Sequence, residues 1–170
     1  MTQVAAYRSE TLIGHYNDEP QKFDGKRYGG FYTQKEIKEV VKYAAERYIT
    51  IIPEIELPGH AQAAIAAYPE LGCLQDTVLQ PLTKWGVSDN VYCPTEETFQ
   101  FLENVLSEVI DLFPGEYIHI GGDECPKTQW KESDIVQDLM VENQFRDEHE
   151  VQSYFIKRIE KFINSKGKKI

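Results

Sequence analysis

No long apolar run occurs anywhere in this sequence. None approaches the ~20 residues that cross a bilayer, and mean hydropathy is negative at -0.48, so membrane insertion is not expected. Basic residues are also scarce. Acids outnumber them 28 to 18, for a net charge of -10. That balance argues against nucleic acid or an anionic membrane as the main partner, because both reward a basic surface. The densest basic stretch, Lys166 to Lys169, reads as a solvated helix end. Met1 is followed by Thr2-Gln3-Val4, with neither a basic n-region nor an apolar h-region, so no signal peptide is expected in this chain. Cysteine is thin. Cys73, Cys93 and Cys125 form no CxxC pair, and His15, His60, His119 and His149 show no zinc-type spacing, so no metal is expected. Cys73 and Cys93 are either a disulfide or free buried thiols, since sequence alone does not fix pairing.

What is present begins with length. The 170 residues suffice for one domain with a real core, and no repeat, linker or internal boundary divides residues 1–170. Residues 1–32 mix Gly, Asp, Asn, Pro and aromatics without a period and read as irregular. Thr33-Gln34-Lys35-Glu36 then fits a capping box, and Ile37, Val40, Val41, Ala44, Ala45 and Tyr48 follow at helical spacing. Ile49 to Glu56 reads as a strand with Glu54 and Glu56 on one face at its C-terminal end, although Pro53 removes a ladder donor. A Pro58-Gly59-His60 turn, a short helix over 61–67 and a long loop over 72–90 come next. Helices are expected over about 95–113 and 148–165, with a polar loop carrying Trp130 between them. A strand is expected over 116–122, and Lys168-Lys169-Ile170 reads as the start of another. Alternation of this kind implies parallel strands with helical crossovers. Two strands and a stub do not close a barrel, so the chain is expected to be a piece of a larger fold.

The run His119-Ile120-Gly121-Gly122-Asp123-Glu124 carries the chemistry. Two acids sit side by side at a strand end, where neighbouring side chains would ordinarily point to opposite faces. The two glycines permit the backbone bend that brings them to one substrate. Adjacent acids repel and cost desolvation, so a catalytic pair is the leading reading, against helix-capping acids as the plain alternative. His60 could likewise cap the short helix. Glu54 and Glu56 could be interior ion-pair partners. Trp85 reads as a loop anchor, and Tyr7, Tyr16, Tyr28 and Tyr32 read as packing of the N-terminal segment.

These segments together resemble the family 20 glycoside hydrolases, the β-N-acetylhexosaminidases. The resemblance rests on Pro53-Glu54-Ile55-Glu56-Leu57-Pro58-Gly59-His60, on Ala66-Ala67-Tyr68-Pro69-Glu70-Leu71, and on the acid run, with Gly30-Phe31-Tyr32-Thr33 and Leu112-Phe113-Pro114 in support. It implies an α/β fold, a fragment of a (β/α)8 TIM barrel, holding about strands 3 and 4 with flanking helices and not closed. It implies Glu124 as general acid/base and Asp123 as the carboxylate that orients the 2-acetamido group of the sugar. His60 would support the acid, and His119 and Glu54 would line or buttress the pocket. Trp130 lies where the family often has an aromatic. The implied substrate is a carbohydrate with a terminal N-acetylhexosamine, glucosamine and galactosamine not being distinguished. No cofactor is implied, and no oligomeric state is signalled. The family commonly works outside the cytoplasm or in lysosomes. Its members also use an arginine and an acid from the first two strands and aromatics from later ones, so these residues alone are expected to hydrolyse little. A non-catalytic sugar-binding relative, or another TIM-barrel hydrolase using the acid pair conventionally, are the rival classes.

Overall fold

The computed structural model describes residues 1–74 and 78–170; residues 75–77 of the expected long loop lie outside them. The helices follow from their stripes and caps. Helix α1 (Gln34–Ala45) starts on the expected capping box: Glu36 N–H donates to Thr33 Oγ1 at 3.2 Å, and Thr33 N–H donates to Glu36 Oε2 at 2.7 Å. The short α2 (Gln62–Ala67) runs into a single 3-10 turn, Pro69–Leu71. Thr95 caps α3 (Glu96–Leu112). Two helices, α4 (Thr128–Glu132) and α5 (Asp134–Asn143), occupy what the sequence reads as a polar loop. Asp147 caps α6 (Glu148–Ser165) through the N–H groups of His149 and Glu150. No helix among the described residues is long and apolar enough to cross a membrane.

The two expected strands pair in parallel but only briefly, and the sequence explains both limits. His119 N–H donates to Pro53 O at 2.9 Å, and Ile55 N–H donates to His119 O at 2.9 Å. A longer ladder would next need an N–H from residue 53, and proline has none. At the other end Gly121 turns away with φ +66°, and Leu57 N–H reaches Ile120 O instead. The pairing is therefore one bridge, Glu54 to His119. The stub at 168–170 does join: Ile118 N–H donates to Lys169 O, and Lys169 N–H to Glu116 O, each at 2.9 Å. The regular ladders among the described residues lie where none was expected. The antiparallel pairs β1 (Tyr7–Arg8) with β4 (Tyr28–Gly29), and β2 (Leu12–Ile13) with β3 (Lys22–Phe23), fold the N-terminal segment back on itself. Short hairpins of this kind carry too few residues for a period to show.

Side-chain alternation sets the two faces. Ile118 and Ile120 are buried against the helices, while Tyr117 and His119 face away and are exposed. Residues 117–120 are thus half-buried rather than buried throughout. The main core joins Leu57, Ile118 and Ile120 to Phe99, Leu102 and Leu106 of α3 and to Phe155, Ile159 and Ile163 of α6. Each of these side chains contributes about 1.5–3 kcal/mol by leaving water. The α1 stripe behaves otherwise. Only Ala44 is buried, and Val40 and Tyr48 are exposed, so this helix packs on α3 with an open flank.

A second cluster, Val91, Cys93, Trp130, Val136 and Val151, braces the loops that follow the strands. Here Cys73 and Cys93 are joined in a disulfide with Cα atoms 4.8 Å apart, which resolves the alternatives left by the sequence. Cys125 is free.

Candidate active site

The acid loop springs from the end of the 116–120 segment. Gly121 and Gly122 have φ of +66° and +107°, so the bend needs them. Glu124 itself sits at φ +42°, and His60 at φ +51°. Non-glycine residues pay strain there, and such positions cluster at functional sites. The two strained turns meet. Gly59 lies so close under the acid loop that a Cβ would come within 3.3 Å of Asp123 O, Glu124 O and Cys125 Cα. Contact this tight brings the Pro58-Gly59-His60 turn and the acid run together.

His60 Nε2 stands 3.6 Å from Glu124 Oε2 and 3.9 Å from Asp123 Oδ2. The two carboxylates therefore converge on one imidazole nitrogen instead of diverging as on a flat strand. Both remain open to solvent, with side chains 67% exposed for Asp123 and 52% for Glu124, as groups that must reach a ligand should be. His119 and Glu54 form the next pair, Nδ1 to Oε1 at 3.2 Å. Nδ1 also lies 3.1 Å from Gly121 N, which can donate to it. The nitrogen serves one neighbour at a time: as an acceptor it takes the Gly121 N–H, and as an N–H it donates to Glu54. Either way His119 ties the hinge to the neighbouring segment.

Glu56 lies beneath this surface. Burial pushes its carboxyl above the usual carboxylate range. A hydrogen bond with Glu54 and the charge of Asp123 add to the rise, and His60 opposes it. Glu54 and Glu56 are not ion-paired with Lys or Arg among the described residues; their neighbours are acids and histidines. Glu56, His60 and Asp123 each bring one polar atom within 4.8 Å of the others. Nothing further among the described residues marks this group as a cation site.

Trp130 lies in the interior, where of the two roles open to it, binding or supporting, its contacts are those of a support. Its side chain is 0% exposed, and its Nε1–H donates to Tyr92 O at 3.0 Å. An indole with no open face cannot stack on a sugar; this one is a pillar of the second core. Trp85 is no anchor. It is 71% exposed, with its ring 4.8 Å from that of Tyr16. Tyr28 and Tyr32, expected to pack inward, are exposed and with Phe31 wall an open cleft of about 710 Å³ that begins at His60.

Two residues that the sequence did not single out hold the acid loop. Gln152 of α6 donates from Nε2 to Gly122 O at 2.7 Å. Lys127 donates from Nζ to Gln152 Oε1 at 2.6 Å and also to Cys125 O. The only signal is position: Gln152 follows Val151, a core residue of the α6 stripe.

Comparison with known proteins places the chain in a family. It belongs to glycosyl hydrolase family 20, whose catalytic-domain model matches residues 1–170. The beta-hexosaminidase of Porphyromonas gingivalis is 51% identical over 169 residues, covering 99% of this chain and 21% of that protein. A crystal structure of a beta-N-acetylhexosaminidase superposes with TM-score 0.89 at 33% identity, over 98% of this chain and 34% of that one. The GH20 exo-β-N-acetylglucosaminidase from Vibrio harveyi, solved in complex with N-acetylglucosamine, gives TM-score 0.79 at 38% identity, over 98% and 26%. The chain thus spans about a fifth to a third of the proteins it matches.

Proposed function

We propose that this chain is the central part of a (β/α)8 catalytic barrel, with the 53–57 and 116–120 segments as its third and fourth strands. The enzyme it belongs to releases terminal β-linked N-acetylhexosamine with retention of configuration. One observation carries the reading: on a glycine-hinged loop, Asp123 and Glu124 flank a single nitrogen of His60, in a chain of this family.

Retaining glycosidases usually set two carboxylates ~5 Å apart across the scissile bond, one of them the nucleophile, with substrate-assisted families as exceptions. Two acids adjacent in sequence on one side of the sugar suit the exception. The 2-acetamido carbonyl oxygen attacks the anomeric carbon and forms a cyclic oxazolinium ion, while Glu124 protonates the departing glycosidic oxygen. Positive charge appears on the acetamido nitrogen. Asp123, as a carboxylate, accepts that N–H and stabilises the charge. Glu124 then takes a proton from the incoming water, and water opens the ring. His60, within reach of both acids, keeps them apart in role by pairing with whichever is ionised.

The test uses a catalytic domain containing this chain. Asp123→Asn and Glu124→Gln are each expected to lower kcat by about 10²–10⁴-fold. An aryl glycoside with a good leaving group should partly rescue the first step of Glu124→Gln, because it needs less acid help, and should not rescue Asp123→Asn. Substrates in which hydroxyl replaces the 2-acetamido group should not turn over. Equal rates on the hydroxyl analogue, or equal loss on activated and unactivated leaving groups in Glu124→Gln, would refute the assignment.

A further inference from the structure

Glu56 is the acid that this mechanism leaves without a task. Its Oε2 is covered and meets no hydrogen-bond partner among the described residues. Gly121 closes over the carboxyl so tightly that a Cβ there would overlap Oε2 and come within 2.6 Å of Cδ. The groups facing it are Glu54, Asp123 and His60, with Glu124 beyond the imidazole. Three of these four are acids. A buried carboxylate with no donor and acidic neighbours bears a desolvation cost that nothing offsets. The same group carrying a proton becomes a donor, and every acid round it becomes an acceptor. We propose that Glu56 is a positioning residue that keeps a proton beneath the acid pair, so that the charge of the cluster rests on Asp123 as the anion beside His60.

The geometry favours this over a cation or a water as the missing partner. Oε2 lies against the Gly121 backbone, with no room there for even a methyl group, and the polar atoms grouped round a common point come from only three residues. A neutral acid satisfies the cluster with what is already there. The consequence for catalysis rests on the function proposed above: Asp123 must be an ionised acceptor when the acetamido nitrogen becomes positive, and a proton parked on Glu56 leaves it so.

Carboxyl 13C NMR of a catalytic domain containing this chain tests the proton directly and needs no activity. The Glu56 resonance is expected to keep its protonated position above the ordinary glutamate range. An ordinary Glu56 titration would overturn the proposal, whatever the enzyme does. In the active catalytic domain, Glu56→Gln preserves a neutral donor of the same shape and should keep kcat within about 3-fold, while removing the loss of rate that follows Glu56 ionisation at high pH. Glu56→Ala frees Asp123 and should lower kcat about 10- to 100-fold with little change in KM, the scale of a misplaced catalytic group. Glutamine as damaging as alanine, or an unaltered alkaline limb in Glu56→Gln, would also overturn it. If wild type shows no hexosaminidase activity yet Glu56 titrates high, the functional reading fails and the proton assignment stands.

Discussion

Replacing Gly121 with alanine tests the hinge and the Glu56 contact in one step. The backbone at Gly121 has φ +66°, and an L-residue in that left-handed region costs about 1–2 kcal/mol. The new Cβ would also lie 2.6 Å from Glu56 Cδ and 3.1 Å from Oε1, where carbon atoms normally rest ~3.5–4.0 Å apart. The Glu56 carboxyl must shift by about an ångström. Its Oε2 is already fully covered, so it has no free space on that side, and overpacking of this kind costs about 1–3 kcal/mol. The sum is about 2–5 kcal/mol. For a chain of this size each kcal/mol lowers Tm by about 2–4 °C.

Gly25 supplies the control. It has φ +61° and nothing within 4 Å of an added Cβ, so Gly25→Ala should show the backbone cost alone, about 1–2 kcal/mol. The difference between the two variants isolates the clash. A double-mutant cycle sharpens it: in a Glu56→Ala background the obstruction is gone, so Gly121→Ala should lose about 1–3 kcal/mol of its penalty. Urea unfolding of the wild type and the four variants reads all of this. Gly121→Ala no worse than Gly25→Ala, or strict additivity with Glu56→Ala, would refute the reasoning.

Glu56 also makes stability depend on pH. Its folded carboxyl binds the proton more tightly than the unfolded reference at 4.5, so its contribution is fully present below that value and is lost as pH rises through the raised folded value. The slope for one proton cannot exceed about 1.4 kcal/mol per pH unit, and Glu56→Gln should flatten it, as measured by urea midpoints from pH 4 upward. Trp130→Ala should destabilise by about 3–5 kcal/mol. Trp130→Phe should cost about 1–3 kcal/mol, since it keeps much of the packing but strands the Tyr92 carbonyl; both should leave KM for the sugar unchanged, and a raised KM in the phenylalanine variant would return Trp130 to the binding surface.

The parts of the fold legible in the sequence are those where one local rule suffices. Thr33 and Glu36 cap α1 because both halves of the capping box lie within one turn. Helices α3 and α6 follow their stripes to within a residue of expectation. The α4–α5 pair was hidden by its brevity and by polar residues, although Ile135, Val136, Leu139 and Met140 carry a helical spacing. The 53–57 and 116–120 segments share a single bridge because Pro53 and Gly121, each visible in advance, stop the ladder from opposite ends. At the site, the paired glycines announced a bend and Pro58-Gly59-His60 announced a turn, but that the turn packs against the acid loop was visible only in the structure. Lys127 and Gln152 could not be read, because their contact joins residues 25 apart through the packing of α6. Trp130 is ambiguous in sequence for a related reason: an indole fills a core and a sugar site equally well, and only its surroundings decide.

The electrostatics of the mouth follow from what it lacks. Glu54, Glu56, Asp123 and Glu124 gather with His60 and His119, and among the described residues none of the four acids is paired with a lysine or arginine. Such a cluster opposes folding, since like charges within a few ångströms raise each other's energy. Fixed cations would relieve it permanently and would also neutralise the field where the chemistry needs it. Two histidines and one retained proton relieve it only in part. The residual negative potential costs stability in the free protein and is compensated when a positive charge forms beside Asp123. An oxazolinium nitrogen is such a charge, appearing only after the glycosidic bond has begun to break, so under the proposed function this imbalance favours the transition state over the bound sugar. Replacing Asp123 or Glu124, the ionised acids that meet the substrate, by its amide would make the free protein easier to fold and the reaction slower, and that opposition of stability and rate separates a catalytic acid cluster from a structural one.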